Sequence, residues 1–327
     1  MSLTSFIKLP EVKAKLKPLR PKLPRKINVP LRVESRSPRY MLVGTAFDYL
    51  LRFELQRRAP HAIPGTLVAD SAPECIWQPG CFLSLGMDHR QMPAQEAEML
   101  AEKEAKRARI IVENAKKALA EYVKSEAPDR GTQADLAAHA IRLAKLDDMS
   151  RALRLDASFA EADQVNVEEL LALLAIVPFN TLLHDKVLLL NPTFGDSSRL
   201  VGGADADLIA GDTLIDFKTT KSGEVTAENL DQLLGYFLLG RNEHRSDPTF
   251  PAINRLAIYF CRHGHIWPLE ASVWLENPLF DQTEEWFFSP ARKVLGPLVQ
   301  NTTTAAGRER SGCSGNVPAV VSRSAPC

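Results

Sequence analysis

The spacing of apolar residues changes near residue 186 and divides the chain into two kinds of segment. Before that point, apolar positions recur three and four residues apart, as on one face of an α-helix. In residues 44–58, this spacing places four apolar side chains on one side: Phe47, Leu50, Leu51 and Leu55. The pattern predicts helices at 44–58, at 93–125, from a break at 127–132 to about 155, and at 167–176.

After residue 186 the pattern favours strands. Residues 186–192 form a short apolar run, and two further runs flank Gly211-Asp212, where a leading glycine suits a type II′ hairpin turn. A helix at 226–244 follows, with Thr226 as its expected N-cap and Asn229 weakening the capping-box match. The chain then predicts one or two strands around Gly264 and a helix at about 281–295. This order is typical of an α/β protein, with the helices of 93–177 as an insertion.

A turn at Gly211-Asp212 fixes which residues of the hairpin face each other. The expected pairs are Ala210 with Thr213, Ile209 with Leu214, Leu208 with Ile215, Asp207 with Asp216, and Asp205 with Lys218. Paired residues share a face, and side chains alternate along a strand. One face should therefore carry all four charged side chains: Asp205, Asp207, Asp216 and Lys218. The opposite, core-facing side should carry Leu208, Ile215 and Phe217.

The charges on this hairpin require compensation. Directly opposed carboxylates such as Asp207 and Asp216 repel, and without help one of them would hold its proton. Mg²⁺ removes the conflict, because it favours oxygen ligands and is typically bound by one or two carboxylates together with waters and phosphate oxygens. Lys218 would then lie close to a metal-bound water or a phosphate oxygen. The simpler interpretation is an Asp–Lys salt bridge on an exposed sheet face, and the apolar strands around the pair favour the metal site.

Charge and cysteine usage narrow the class of protein. Residues 1–40 carry 11 Lys or Arg against Glu11 and Glu34, so their net charge is +9, whereas the whole chain is neutral. This proline-rich arm is expected to be extended or disordered, either touching nucleic-acid phosphates or serving as a solubilising tail.

Five cysteines without metal-like spacing indicate reduced cytoplasmic thiols. No apolar run approaches the roughly 18 residues of a membrane span, and no signal peptide is expected.

Three sequence blocks together resemble the PD-(D/E)XK nucleases, and within them the RecB-type exonuclease branch. The first block is the glycine-led strand from Gly202 to Asp207. The second is Ile215-Asp216-Phe217-Lys218-Thr219, and the third is Gln232-Leu-Leu-Gly-Tyr236 on the following helix. The resemblance implies a restriction-endonuclease-like core, a mixed central sheet flanked by helices, over residues 41–300. Residues 301–327 are expected to be a disordered tail.

The resemblance also implies a role for each matching residue. Asp207, Asp216 and the backbone carbonyl of Phe217 would bind the metal, and Lys218 would serve the attacking water or the scissile phosphate. Gln232 and Tyr236 lie one helical turn apart and would position the lysine or contact the DNA backbone. Their alternative interpretation is a core-facing tyrosine with a solvated glutamine.

Some candidates remain open at this stage. Asp205 is the alternative to Asp207, as a second carboxylate near the metal. Where the resemblance expects a histidine on the upstream helix, this chain has Asp48, four residues after Gly44; Glu54 is the alternative ligand, and Asp48 could be an ordinary exposed residue. The candidate nucleic-acid contacts are Arg52, Thr219 and Lys221.

These observations predict a nuclease that uses Mg²⁺, or Mn²⁺ in its place, to hydrolyse DNA phosphodiester bonds. The resemblance suggests exonuclease-like action in repair, recombination or phage-related DNA processing. The expected partners are DNA and a helicase or other DNA-processing protein, without a membrane. No nucleotide cofactor is expected, because the chain has no Walker A sequence. The alternative is a catalytically inactive nucleic-acid-binding or scaffold protein that keeps the fold.

Overall fold

The structure, a computed structural model, describes residues 2–78, 80–81, 92–183 and 187–289. Within them the α-helices are α1 (Leu3–Phe6), α2 (Pro10–Leu16), α3 (Tyr40–Arg58), α4 (Ala72–Cys75), α5 (Ala94–Tyr122), α6 (Arg130–Ala152), α7 (Gln164–Leu174), α8 (Phe179–Leu182), α9 (Gly195–Arg199), α10 (Ala227–Ser246) and α11 (Ser272–Leu275). Residues 280–289 are also helical up to the end of the described part. The strands are β1 (Ile63–Pro64), β2 (Leu188–Leu190), β3 (Leu208–Ala210), β4 (Thr213–Lys218), β5 (Arg255–Phe260) and β6 (His265–Glu270).

The described strands form one six-stranded mixed sheet in the order β1-β2-β3-β4-β5-β6. The β2-β3-β4 ladders and the β5-β6 ladder are antiparallel. The β1-β2 and β4-β5 pairs are parallel, and α10 forms the crossover between β4 and β5. The prediction of an α/β protein with a mixed sheet flanked by helices is confirmed. Two strands around Gly264 are also found, with this glycine at φ +61° in the turn that joins them.

Each face of the sheet packs against its own hydrophobic core. Leu208 and Ile215 belong to the core that contains α3, α5, α6 and α7. Ile209 and Leu214 belong to the core that contains α10 and the N-terminal segment. This division follows from the alternation of side chains along a strand. The site therefore has α3 on one side of the sheet and α10 on the other.

The helices of the insertion agree with the sequence pattern. The predicted break at 127–132 is confirmed, since α6 begins just after Asp129. The Asp129 carboxylate caps α6 by accepting a hydrogen bond of 2.7 Å from the Thr132 amide. α6 and α7 both pack against α3. At α10, Thr226 and Asn229 make both bonds of a capping box, so Asn229 completes the box that its identity was expected to weaken.

The expectation of an extended or disordered arm over residues 1–40 is wrong for residues 3–19, which are mostly helical and packed. Residues 20–39 contain no helix, as expected of an extended arm, but Ile27 and Val33 are buried in the two cores. Apolar side chains of residues 3–19 are buried in the α10 core, among them Leu3, Phe6, Ile7, Val12, Leu16 and Leu19. Arg20 makes two hydrogen bonds of 2.7 Å to the buried Asp231 on α10. Lys13 and Lys15 lie on the exposed side of α2, whose inner side carries Val12 and Leu16, and the net charge of +9 concealed that pattern. The predicted tail at 301–327 lies outside the described residues.

Candidate functional site

The hairpin has the expected register at its turn and departs from it at the charged end. The ladder contains the pairs Ala210–Thr213, Ile209–Leu214 and Leu208–Ile215. Beyond Leu208, the Asp207 carboxylate accepts a hydrogen bond of 2.5 Å from the Phe217 amide, so its side chain reaches across to β4.

The predicted Asp205–Lys218 pair is absent, and this part of the interpretation was wrong. Asp205 instead forms a β-bridge with Thr193, because the chain before Leu208 turns toward the residues that follow β2. Its carboxylate contacts Arg151 on α6 at 2.9 Å. The four charged side chains therefore do not share one face, although they meet at one end of the sheet.

Lys218 is held by a chain of polar contacts that runs into α10. Its Nζ lies 2.7 Å from Asp216 Oδ2 and donates to Gln232 Oε1 at 3.0 Å. Gln232 Nε2 donates to the Tyr236 hydroxyl at 3.1 Å, and this hydroxyl donates to the backbone carbonyl of Asp205 at 2.9 Å. The structure thus brings together the residues predicted on β4 and α10. Gln232 is bound to the lysine and is not a solvated surface residue.

The helix α3 carries Asp48 to the same end of the sheet. A Cβ at Gly44 would lie 2.8 Å from Thr219 Oγ1, so the glycine lets the first turns of α3 approach the end of β4. Asp48, one turn later, is half-buried and accepts a bond of 2.5 Å from Arg52 Nη2. Its other oxygen, Oδ1, is buried and has no hydrogen-bond partner among the described residues. Burying a carboxylate oxygen without a hydrogen-bond partner costs free energy. A cation or a proton bound to Asp48 would remove that cost.

Two predicted residues of α3 are not brought to the cavity at this site. Arg52 is buried beside Asp48 and stacks over the Tyr49 ring at 4.6 Å, so it is a partner of Asp48 and does not face a phosphate. Glu54 faces the other way along the helix. It accepts hydrogen bonds from Arg57 and Arg58 of its own helix and from the Tyr122 hydroxyl, and the last of these joins α3 to α5. Glu54 is therefore a packing residue at a distance from the candidate ligands.

The crowded carboxylates perturb one another. Removal from water raises the pKa of Asp207 well above its ordinary value, and the charges of Asp216 and Asp48 add to this effect. Burial also raises the pKa of Asp48, against the opposing effect of Arg52. For Lys218, burial acts to lower the pKa, but Asp216 and Asp207 outweigh it and leave the pKa raised. Lys218 is therefore a cation at neutral pH, and Asp207 resists ionisation unless a further positive charge is present.

A cavity of about 1080 Å³ opens over this group. The predicted residues that line it are Asp48, Asp205, Asp207, Phe217, Lys218, Thr219, Lys221 and Tyr236. The side chains of Asp216 and Gln232 support Lys218 from behind and are not in the lining. The cavity is large enough for a drug-sized molecule or a short piece of a polymer.

Sequence reasoning missed several residues that complete this cavity. Arg151, in the last turn of α6, bridges Asp205 and the buried Asp147, and it lines the cavity. Arg262 follows β5 and pairs with the buried Glu169 of α7. Nothing in the local pattern marked these residues, because they come from the insertion and from a turn distant in sequence.

The fit of a divalent cation rests on the donor chemistry. Across the described ranges, no three His, Cys, Asp or Glu side chains lie close enough together to hold a metal ion as positioned. The oxygen donors nevertheless suit Mg²⁺: Asp207 and Asp48 line one cavity, and one Asp48 oxygen lacks a partner. The Asp216 carboxylate, tied to Lys218, lies next to them.

Comparison with known proteins adds no family assignment. No protein-family model, curated protein or solved structure matches the chain significantly. In the part of the chain that the structure describes, no helix is both long and apolar enough to cross a membrane.

Proposed function

We propose that this chain is a metal-dependent nuclease that hydrolyses phosphodiester bonds in DNA. The observation that carries the proposal is the meeting of Asp207, Asp216 and Lys218 at one end of the hairpin, under an open cavity. Gln232 and Tyr236 hold the lysine there, as the sequence blocks suggested. A cation-binding carboxylate group beside a fixed ammonium suits reactions in which negative charge develops on phosphate.

Each residue has a definite part in this proposal. Asp207, Asp216 and Asp48, with the Phe217 carbonyl, would hold Mg²⁺ or Mn²⁺, and Asp205 would lie just outside the ligands. The bound cation would supply Lewis-acid activation of a water and of a phosphate oxygen. Lys218 stays protonated between Asp216 and Gln232 and places its positive charge toward the cavity. Thr219 and Lys221 lie on the cavity wall, where a phosphate backbone would pass.

The proposal extends to the class of fold and to the setting of the reaction. The strand–turn–strand–helix–strand order from β3 to β5 and the mixed sheet support a restriction-endonuclease-like core of the PD-(D/E)XK type. The Gln232-x-x-x-Tyr236 arrangement supports the RecB-like, exonuclease-like branch. Strand separation would then come from a helicase or another DNA-processing partner.

A cleavage assay tests this function directly. Labelled DNA is incubated with Mg²⁺ or Mn²⁺ and with wild type, Asp216→Ala, Lys218→Ala or Lys106→Ala, after thermal melts confirm folding. Lys106 is the matched control, because it is an exposed lysine in the Glu104-Ala-Lys106 segment of α5. We expect cleavage by wild type and Lys106→Ala, and a loss of at least about 100-fold in the two site variants. Cleavage that survives in Lys218→Ala would contradict the proposal.

A second candidate is a nucleic-acid-binding protein without catalysis. It is favoured by the Lys218–Asp216 ion pair at 2.7 Å, which satisfies both charges without a cation. Wild type that binds DNA but cleaves none with either metal would support this candidate over the nuclease.

A further inference from the structure

Two large apolar side chains at the start of α3 are exposed without an evident packing reason. Tyr40 is 67% exposed and Met41 is 71% exposed. The other four tyrosines, Tyr49, Tyr122, Tyr236 and Tyr259, are all buried. Adjacent exposed apolar side chains beside a cleft are a frequent mark of a binding surface.

Tyr40 and Met41 lie between two cavities. One is the cavity of about 1080 Å³ over Lys218, and the other has a volume of about 680 Å³ and lies toward α6. Both cavities are lined by Pro38, Tyr40, Met41, Thr45, Asp147 and Arg151. The tyrosine and the methionine therefore belong to a ridge over which a chain-like ligand could pass from one cavity to the other.

Cationic groups flank this ridge on both sides. In the first cavity, the exposed Lys221 lies 3.8 Å from Glu34, and the exposed Arg36 has no ion-pair partner among the described residues. In the second cavity, Arg39 and Arg154 are partly exposed but paired with Asp156 and Asp148. An aromatic ring set in a groove with cationic groups is the arrangement that proteins use for single-stranded nucleic acid, whose unpaired bases can stack. Inside a duplex, neighbouring base pairs cover both faces of each base and leave none open for Tyr40.

We propose that Tyr40 and Met41 form a stacking platform for an unpaired base, and that the substrate of this site is therefore single-stranded DNA or a frayed strand end. This inference rests on the proposed nuclease function for the identity of the polymer. Tyr40 precedes Asp48 by eight residues, or about 12 Å along the helix axis. At about 3.4 Å per stacked nucleotide, the stacked base would lie roughly three to four nucleotides from the phosphate in the site.

Binding measured without cleavage tests the platform. Fluorescence anisotropy is recorded with a labelled single strand and with a blunt duplex of the same sequence, in the presence of a chelator. The variants are Tyr40→Ala, Tyr40→Phe and Met41→Ala. The control is Met99→Ala, because Met99 on α5 is 63% exposed and lines neither cavity.

We expect Tyr40→Ala to weaken single-strand binding at least about fivefold, the effect of losing one stacked base. Tyr40→Phe keeps the ring and should bind within about twofold of wild type. Met41→Ala should weaken single-strand binding by about twofold or more, and Met99→Ala should change nothing. Duplex binding should change by less than about twofold in every variant.

Two results would overturn the inference: unchanged single-strand binding in Tyr40→Ala, or an equal loss for the single strand and the duplex. These results leave the proposed function intact if wild type still cleaves DNA. The opposite case is a wild type that cleaves no DNA but binds a single strand in a way that depends on Tyr40. That result would support the stacking platform and contradict the nuclease function. If Tyr40→Phe loses as much as Tyr40→Ala, the ring is not the binding group and the platform is rejected.

Discussion

Asp207 is the candidate-site carboxylate whose ionisation its surroundings oppose strongly, since its pKa is raised well above the ordinary value. It is withdrawn from water, it lies beside Asp216 and Asp48, and its hydrogen bond from the Phe217 amide offsets only part of the cost. In the unfolded chain an aspartate has an ordinary pKa near 3.9. Between that value and the raised folded value, the folded protein holds a proton that the unfolded chain releases. The stability contributed by this proton is therefore lost as pH rises through the folded pKa.

Asp207→Asn should for this reason stabilise the metal-free protein at high pH. The amide oxygen of asparagine can still accept the Phe217 hydrogen bond, but the side chain cannot ionise. At pH 8 with a chelator present, we expect the Tm of Asp207→Asn to lie about 2–4 °C above that of wild type. This difference corresponds to a gain of ~1 kcal/mol in the free energy of unfolding. The difference should shrink as the pH falls toward the ordinary aspartate value near 3.9, where the unfolded chain binds the same proton as folded Asp207. Thermal melts across this pH range make the measurement.

The change in Tm on adding Mg²⁺ is a second prediction for Asp207→Asn. Wild type should gain Tm with millimolar Mg²⁺, because the cation binds the folded state only, and Asp207→Asn should gain much less. Asp212→Asn at the hairpin turn is the control. Burial acts to raise the pKa of Asp212, but hydrogen bonds from Arg255 and Asn254 outweigh it and lower the pKa. Its substitution should not raise Tm at pH 8. An Asp207→Asn protein that responds to Mg²⁺ as wild type does would exclude Asp207 as a ligand.

At the residue scale, the sequence predicts what the backbone geometry dictates and little more. The pairs from Ala210–Thr213 to Leu208–Ile215 follow from the turn, so the face of Asp216 and Lys218 was predictable. Asp205 was misplaced because its bridge to Thr193 depends on a chain segment whose course no local pattern encodes. Arg151 was missed because an arginine at a helix end has the same local signature whether it meets solvent or a distant carboxylate.

At the scale of elements, one buried ion pair ties the insertion to the end of β4. Glu169 on α7 pairs with Arg262, and it accepts hydrogen bonds from the amides of Arg36 and Ser37 at 2.8 and 3.0 Å. Arg262 Nε donates in turn to the carbonyl of Thr219 at 2.6 Å, next to Lys218. The amphipathic pattern predicted α5, α6 and α7 as helices because helical periodicity is local. Their docking depends on contacts such as this pair, which join residues far apart in sequence.

Glu169→Ala should destabilise the protein strongly. It leaves the Arg262 guanidinium and two backbone amides without their buried partner, and losing one member of a buried pair typically costs about 3–5 kcal/mol. Chemical denaturation of wild type and variant gives the difference in free energy of unfolding. Glu168→Ala is the matched control, because the neighbouring Glu168 contacts Arg130 at the surface, where a pair is worth about 1 kcal/mol or less. Equal, small losses in both variants would contradict the structural role of Glu169.

At the scale of the whole molecule, the basic N-terminal segment is part of the fold. It crosses the α10 face of the sheet and buries apolar side chains along residues 3–19. The Leu3 amide donates to the Gly203 carbonyl at 2.8 Å, so the segment also touches the loop that leads to Asp207. Composition predicted disorder because it averages over lysines that point outward and leucines that point inward. Each helix of this segment is too short for its apolar periodicity to show, from the sequence, which side chains face inward.

Phe6→Ala distinguishes an integral segment from a loose tail. The Phe6 ring is buried and meets the Phe287 ring edge-on, with the ring centroids 5.2 Å apart. Truncating such a side chain typically costs about 3–5 kcal/mol, because the cavity left behind collapses only in part. Lys8→Ala, two residues away, removes an exposed ion pair with Glu228 and should cost about 1 kcal/mol or less. Denaturant titration of the two variants distinguishes a folded segment from a loose tail. If the segment were a tail, neither substitution would change the free energy of unfolding. A large loss for Phe6→Ala alone would mean that the charges of this segment are carried on a folded face of the protein, fixed in position relative to the candidate site.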